Sequence, residues 1–213
     1  MIKCSTSLWS ADLANLASEI KRIEPHSERF HIDVVDGHYV KNMLFFPDLV
    51  KTLRKHTAKP FEIHLMTTDP LGWVGPFIEA GGDIIQFCLD SSKNPSEVLA
   101  AIKSTGKRAG ISLLVTEPLD LLEPYWQDLD VVVLCCTAMG IKGASMDAGI
   151  PDKIRRAREL IEKRGLKTEI EVDGGIRRTT VPQMYAAGAD FIVPGSLMFG
   201  ENPVEMRKWL ASL

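Results

Sequence analysis

Apolar residues make up 45% of the 213-residue chain, and 28 Asp and Glu against 25 Lys and Arg give a formal net charge of −3. A chain of this length can bury a large core, and we expect one domain over residues 1–213. The basic residues form no stripe, which argues against nucleic acid as a partner. No apolar run approaches the roughly 20 residues that span a bilayer, and no signal segment precedes the first strand, so we expect a cytoplasmic protein without membrane contact.

Apolar runs alternate with amphipathic segments along the chain, a pattern that predicts strands followed by helices. The predicted strands cover residues 2–8, 30–36, 60–65, 84–88, 108–115, 130–136, 168–172 and 191–193. The predicted helices cover residues 12–23, 47–56, 70–80, 95–104, 119–125, 151–164, 179–187 and 204–213. Ser10 or Asp12 can cap the first helix, and Gly37 ends the second strand.

Eight strand-helix units in a chain of this length predict an α/β fold, a closed (β/α)₈ TIM barrel. An open, doubly wound parallel sheet is the alternative. That fold is less favoured because a dinucleotide-binding turn would place glycines after the first strand, where the sequence has Ser5-Thr6-Ser7-Leu8-Trp9.

The second predicted strand carries His31 and Asp33, which point to the same side because side chains alternate along a strand. Such a pair alone is also typical of a structural hydrogen bond. His64 on the third strand and Asp173 after the seventh come to the same edge of a barrel. Two imidazoles and two carboxylates suit one divalent metal ion, with Zn²⁺, Fe²⁺, Mn²⁺ and Co²⁺ all open as its identity.

A second cluster consists of glycines and a serine at the ends of the last three strands. Its members are Gly140, Gly143, Gly174, Gly175, Gly195 and Ser196. Each glycine alone is typical of a turn, but together they predict a phosphate site, which such barrels form from backbone N–H groups after strands seven and eight. Lys142 in the first of these loops is equally compatible with a phosphate contact and with solvent exposure.

A metal with an Asp on either side, some distance from a phosphate pocket, favours proton transfer at a carbon next to a carbonyl. One Asp would remove the C3 proton of a ketose phosphate, and the other would return a proton to the opposite face. The configuration at C3 would invert through an enediolate without redox chemistry. Asp33 and Asp173 are the candidate catalytic residues.

Four segments, in order along the whole chain, resemble the ribulose-phosphate 3-epimerase family. They are residues 7–13 (SLWSADL), 31–38 (HIDVVDGH), 64–66 (HLM) and 171–176 (EVDGGI). The resemblance implies a (β/α)₈ fold, a metal held by His31, Asp33, His64 and Asp173, and acid-base roles for Asp33 and Asp173. It also implies a small-molecule ketose phosphate as substrate and a homo-oligomer.

Ser7 matches a substrate-contacting position of that family, and Gly175, Gly195 and Ser196 match its phosphate-binding positions. Met66 matches one of the methionines that commonly cover the family's active site. The expected substrate-binding set is therefore Ser7, His64, Met66, Gly140, Gly143, Gly174, Gly175, Gly195 and Ser196.

The chain departs from the family pattern in the parts that would face the substrate. The loop at 139–144 reads MGIKGA instead of P-G-F-G-G-Q, Cys88 stands where a His is usual, and Val35 and Cys135 replace methionines. A pentulose, hexulose or tetrulose phosphate therefore remains open as the substrate. A decarboxylase would need a Lys at position 35 within D-x-K-x-x-D, and a catalytically silent phospho-sugar-binding barrel is the alternative of a different class.

Overall fold

The computed structural model describes residues 1–141 and 143–213, so the candidate phosphate contact Lys142 lies outside the described residues. The described strands are β1 Lys3–Ser7, β2 Arg29–Asp36, β3 Met43–Leu44, β4 Phe61–Met66, β5 Ile84–Cys88, β6 Arg108–Leu113, β7 Val131–Cys135, β8 Glu169–Asp173 and β9 Phe191–Val193. Short β3 pairs antiparallel with the end of β2. The other strands run parallel in the order β1-β9-β8-β7-β6-β5-β4-β2.

Strand β1 closes the sheet, because it pairs with β2 on one side and with β9 on the other. The predicted (β/α)₈ barrel is thereby confirmed, and the open doubly wound sheet is excluded. The described α-helices are α1 Leu16–Ile23, α2 Pro47–Leu53, α3 Pro70–Glu79, α4 Pro95–Lys103, α5 Ile150–Lys163, α6 Val181–Ala186, α7 Ser196–Phe199 and α8 Pro203–Ala211. Among the described residues, no helix combines the length and apolarity needed to cross a membrane.

Two predicted helices differ from the structure for local reasons. The helix expected over 119–125 is instead two 3₁₀ turns, Leu119–Leu122 and Trp126–Asp128. Pro124 lies between them, and a proline removes a backbone donor and clashes with the preceding turn of an α-helix.

The first helix was expected to begin near residue 12 but begins at Leu16. The Asp12 carboxylate accepts hydrogen bonds from the Ala14 N–H and the Asn15 amide, which stabilises a turn there instead. Leu13 accordingly stays 50% exposed.

Alternation along β2 separates the two faces of the barrel wall. Phe30 and Ile32 join the apolar layer between strands and helices, where both are fully buried. His31 and Asp33 point to the other face of the strand. There they contact side chains of neighbouring strands inside the barrel. The inner face therefore carries the polar side chains, while the outer layer supplies most of the buried apolar surface that stabilises the fold.

Candidate active site

Four side chains from three strands bring their polar atoms together inside the barrel. His31 Nε2 lies 3.2 Å from His64 Nδ1 and 3.6 Å from Asp33 Oδ1. His64 Nδ1 lies 3.8 Å from Asp173 Oδ2, and one donor atom of each residue lies within 4.8 Å of the others. Register explains part of this convergence, because parallel pairing of β2 with β4 sets Asp33 beside His64.

This donor set fits a divalent metal ion. First-row ions bind nitrogen and oxygen at about 2.0–2.2 Å, so ligand atoms that share an ion lie about 3–4 Å apart. The three distances among these atoms, 3.2, 3.6 and 3.8 Å, fall in that range. Two ring nitrogens at 3.2 Å also need a proton or a cation between them, because two lone pairs repel. The cluster is therefore able to hold a metal.

Burial and mutual charge shift the titration of this cluster strongly. Burial and the charge of His31 lower the pKa of His64 to about 3. Burial also lowers the pKa of His31, but Asp33 and the two carboxylates of Glu171 and Glu62 outweigh it and hold that pKa well above 6.5. His31 therefore keeps its extra proton and His64 does not. This leaves one proton for the two ring nitrogens that face each other at 3.2 Å.

Asp173 is a strongly perturbed carboxyl of the cluster. Burial raises its pKa to about 7, and the charges of Asp33, Glu171 and Glu62 add to this against the opposing effect of His31. Its side chain remains 24% exposed. A group that is reachable from solvent and protonated near neutral pH is suited to proton transfer.

A cleft of about 150 Å³ opens over the cluster. Asp33 and Asp173 line it, together with every predicted substrate-binding residue except buried His64: Ser7, Met66, Gly140, Gly143, Gly174, Gly175, Gly195 and Ser196. Ser7 Oγ donates a 2.6 Å hydrogen bond to Asp33 Oδ2, which orients that carboxylate. The structure therefore brings together the residues that the sequence singled out, although contact with a substrate stays a prediction.

Two glycines on one side of the cleft have backbone conformations that disfavour other residues. Gly174 and Gly175 have φ values of +95° and +64°, a region that favours glycine. A Cβ on Gly175 would lie 2.8 Å from the backbone nitrogen of Met146. Helix α7 begins at Ser196, directly after Gly195. Exposed backbone N–H groups at such a position suit an anion.

Sequence reasoning missed Arg177, which also lines the cleft. Its Nη2 donates to the carbonyl oxygens of Gly143 at 2.6 Å and Ala144 at 3.2 Å, tying the loop after β7 to the loop after β8. Nothing in the local pattern marks this arginine, because its partners lie more than 30 residues away.

Two of the altered positions, Val35 and Cys88, lie in a small apolar cluster beside the site. Val35, Met66 and Cys88 make one small buried cluster against which Met139 packs. Cys88 Sγ lies 3.6 Å from Met139 Sδ and 3.8 Å from His64 Nε2. Cys88 therefore contacts both the ring of His64 and a methionine of the atypical 139–144 loop.

Comparison with known proteins assigns this arrangement to a family. The model described as the ribulose-phosphate 3 epimerase family matches residues 3–199. The chain belongs to this family. The predicted enzyme class, an isomerase that epimerises carbohydrates, is confirmed by that membership.

Relatives within the epimerase family span nearly the whole chain. Ribulose-phosphate 3-epimerase of Bacillus subtilis is 34% identical and covers 95% of this chain and 94% of its own. The Synechocystis protein of the same name is 36% identical, covering 93% of this chain and 87% of its own. The Escherichia coli K12 protein is 34% identical and covers 97% of this chain and 95% of its own.

Solved structures share the fold at low identity. 3-Hexulose-6-phosphate synthase of Salmonella typhimurium superposes with a TM-score of 0.73 at 16% identity, covering 99% of this chain and 97% of its own. Orotidine 5′-phosphate decarboxylase of Pyrococcus horikoshii superposes with a TM-score of 0.66 at 16% identity, covering 98% of this chain and 96% of its own. These structures support the barrel fold of this epimerase family member. At 16% sequence identity they are evidence for the fold and not for the function.

Proposed function

We propose that this chain is a metal-dependent epimerase that inverts C3 of a ketose phosphate, interconverting D-ribulose 5-phosphate and D-xylulose 5-phosphate or a related pair. The supporting observation is that two carboxylates, Asp33 and Asp173, stand on different strands and reach the same imidazole pair from β2 and β8. Inversion needs two proton carriers on opposite faces of one carbon, and a pair of this kind supplies them.

The proposed metal ligands are His31, Asp33, His64 and Asp173, and the metal is one divalent ion. When bound, such an ion supplies Lewis-acid polarisation of the oxygens next to the reacting carbon. His31 and His64 present ring nitrogens, while the carboxylates provide both negative charge and proton sites. Ser7 holds Asp33 in orientation through its 2.6 Å hydrogen bond.

The proton steps balance over the two carboxyl groups. One carboxylate takes the proton from C3, and the electron pair of the C–H bond moves into an enediolate. The other carboxyl group, protonated, delivers its proton to the opposite face of C3. In the metal-free protein, burial and the neighbouring carboxylates raise the pKa of Asp173 to about 7, and a bound cation would lower it.

The glycine cluster is the proposed phosphate site. Gly174 and Gly175 have left-handed backbone conformations in the loop after β8, and Gly195 directly precedes α7. A phosphate held there would set the distance from the phosphate to C3 and thereby select the length of the sugar. The family relationship favours a pentulose phosphate, and hexulose and tetrulose phosphates are the comparison substrates.

Solvent deuterium exchange tests the proposal. The protein loaded with Mn²⁺, Co²⁺, Fe²⁺ or Zn²⁺ is incubated in D₂O with pentulose, hexulose and tetrulose phosphates, and loss of the C3 proton signal is followed by NMR. We expect exchange together with appearance of the C3 epimer for one chain length. Binding of every sugar phosphate without exchange would favour a catalytically silent phospho-sugar-binding barrel.

The assembly state is proposed separately. A homo-oligomer is expected from the family resemblance, and sedimentation velocity would show a species heavier than 23.6 kDa, the mass of one chain.

A further inference from the structure

Three charged side chains lie buried inside the barrel on the N-terminal side of the metal-ligand cluster. Arg29 is 2% exposed, and Glu62 and Glu171 are fully buried. Arg29 Nη2 lies 2.5 Å from Glu171 Oε2 and 3.0 Å from Glu62 Oε1. Ser5 Oγ donates to Glu62, and Gln86 Nε2 donates to Glu171 at 3.4 Å. Both carboxylates are therefore held in fixed positions.

These residues lie one strand repeat below the proposed ligands. Side chains two residues apart share a face of a strand. Arg29 precedes His31 by two residues, and Glu62 and Glu171 precede ligands of their own strands by the same spacing. The alternation that projects the ligands into the barrel thus projects a charged layer beneath them.

His31 connects the two layers. Its Nδ1 lies 3.3 Å from Glu62 Oε2 and 3.3 Å from Glu171 Oε1. An ionised carboxylate only accepts hydrogen bonds, so Nδ1 must carry a proton. With its Nδ1 proton held by these carboxylates, the ring can release only the Nε2 proton that faces His64 Nδ1 at 3.2 Å, and the lone pair left on Nε2 is then directed at the proposed ion position. The opposite tautomer would direct a lone pair at two carboxylates.

The layer also contains a second group of potential metal ligands. His31, Glu62 and Glu171 could by themselves hold a metal. The guanidinium of Arg29 already contacts both carboxylates, so the chain supplies a fixed cation at that place.

We propose that Glu62 and Glu171, held by Arg29, are positioning residues that fix the tautomer of His31 and thereby set the affinity of the site for its metal ion. The inference deepens the proposed function and rests on it, since it assigns partners to one proposed ligand. Carboxylate partners of a metal-binding histidine typically change metal affinity by about 10–100-fold when they are removed.

Zn²⁺ binding, measured by competition with a chromophoric chelator, provides the test. The double variant Glu62→Gln/Glu171→Gln should bind Zn²⁺ about 10–100-fold more weakly than the wild-type protein. Glu169→Gln is the matched control, because Glu169 Oε2 contacts Arg29 Nη1 at 2.8 Å while the carboxylates near His31 Nδ1 belong to Glu62 and Glu171. Its Zn²⁺ affinity should stay close to that of the wild-type protein.

Nitrogen-15 NMR supplies a readout that a merely structural role would not change. The chain has 5 histidines, so the long-range imidazole spectrum is assignable with a His31→Asn variant. Without metal, wild-type His31 should show a protonated Nδ1, and the double variant should show mixed tautomers. Saturating Zn²⁺ should restore C3 exchange in the double variant.

The outcomes separate the two proposals. A wild-type protein that binds no divalent ion would overturn the proposed metal-dependent function. A wild-type protein that binds Zn²⁺, with a double variant that matches it in affinity and tautomer, would overturn only the positioning role. If the double variant does not fold, Arg29→Met/Glu171→Gln removes one charge of each sign, and it should still weaken Zn²⁺ binding; unchanged binding there would likewise overturn the positioning role.

Discussion

The imidazole-carboxylate side of the cleft stands on barrel strands, whereas the glycine side is formed by loops. The first, here called the metal half, consists of His31, Asp33, His64 and Asp173 on β2, β4 and β8. The second, the phosphate half, consists of Gly140, Gly143, Gly174, Gly175, Gly195 and Ser196. Three members of the metal half are at most 3% exposed, so their positions are set by strand pairing and a packed interior.

The phosphate half depends on backbone conformation instead of side-chain chemistry. Gly140 and Gly143 have φ values of +75° and +78°, and Arg177 ties the second of them to the neighbouring loop. Loops carry variation more easily than strands. Under the proposed function, the reaction would depend on the rigid strands of the barrel, and the choice of substrate would depend on loops that include the atypical 139–144 segment.

The largest expected effect is on the metal half. Replacing Asp173 by Asn removes a proton carrier, and we expect kcat for C3 exchange to fall by about 10²–10⁴-fold. Steady-state kinetics with saturating metal and sugar phosphate measures this. Asp128→Asn, at an exposed aspartate outside the cleft, is the control and should keep wild-type kcat. A variant with normal kcat and only a raised KM would move Asp173 out of the acid-base role.

A substitution in the phosphate half should act on binding. Gly175→Ala introduces a Cβ 2.8 Å from the Met146 nitrogen at a φ of +64°, so we expect KM to rise by about tenfold or more with a smaller change in kcat. Gly165→Ala has the same backbone problem, at φ +62°, but its Cβ meets open space. If both variants raise KM equally, general backbone strain and not the cleft is responsible.

Removal of the metal should destabilise the protein as well as stop exchange. An ion present at about 100 times its Kd contributes about 2.7 kcal/mol to the free energy of unfolding. For a chain of this size, that corresponds to a Tm several degrees lower after chelation. A His31→Asn/His64→Asn variant should show no such loss, because its metal half cannot bind the ion. An equal Tm decrease in that variant would assign the stabilisation to another site.

The stability of the metal-free protein should also depend on pH. Asp173 titrates near 3.8 when unfolded, and burial raises its pKa to about 7 in the folded chain. Between these values the folded state holds one more proton, so the contribution of Asp173 to stability is present below about pH 4 and is lost as the pH rises through 7. The free energy of unfolding in urea should fall between pH 4 and pH 7 for the wild-type protein, and this pH dependence should be absent from the Asp173→Asn variant. Parallel curves would place the titration on another group.

The sequence predicted the order of strands and helices because the apolar periodicities are local and strong. It also predicted the metal half, since His31, Asp33 and His64 are chemically distinctive side chains whose strand phase follows from alternation. The same alternation marks Glu62 and Glu171 two residues before His64 and Asp173, and extending it by one strand repeat would have found the charged layer. Pro124 likewise carried a local signal against the helix expected over 119–125.

By itself, then, the sequence determined the barrel and the chemical types gathered at the strand ends, because side-chain identity and strand phase are properties of short segments. Only the tertiary structure decided which groups meet across the barrel. Met139 reaches Cys88 at 3.6 Å, Arg177 reaches the Gly143 carbonyl at 2.6 Å, and Glu62 and Glu171 converge on one imidazole nitrogen at 3.3 Å. These contacts join residues more than 30 positions apart, and their distances follow from closure of the sheet and from loop conformation, which no local pattern specifies.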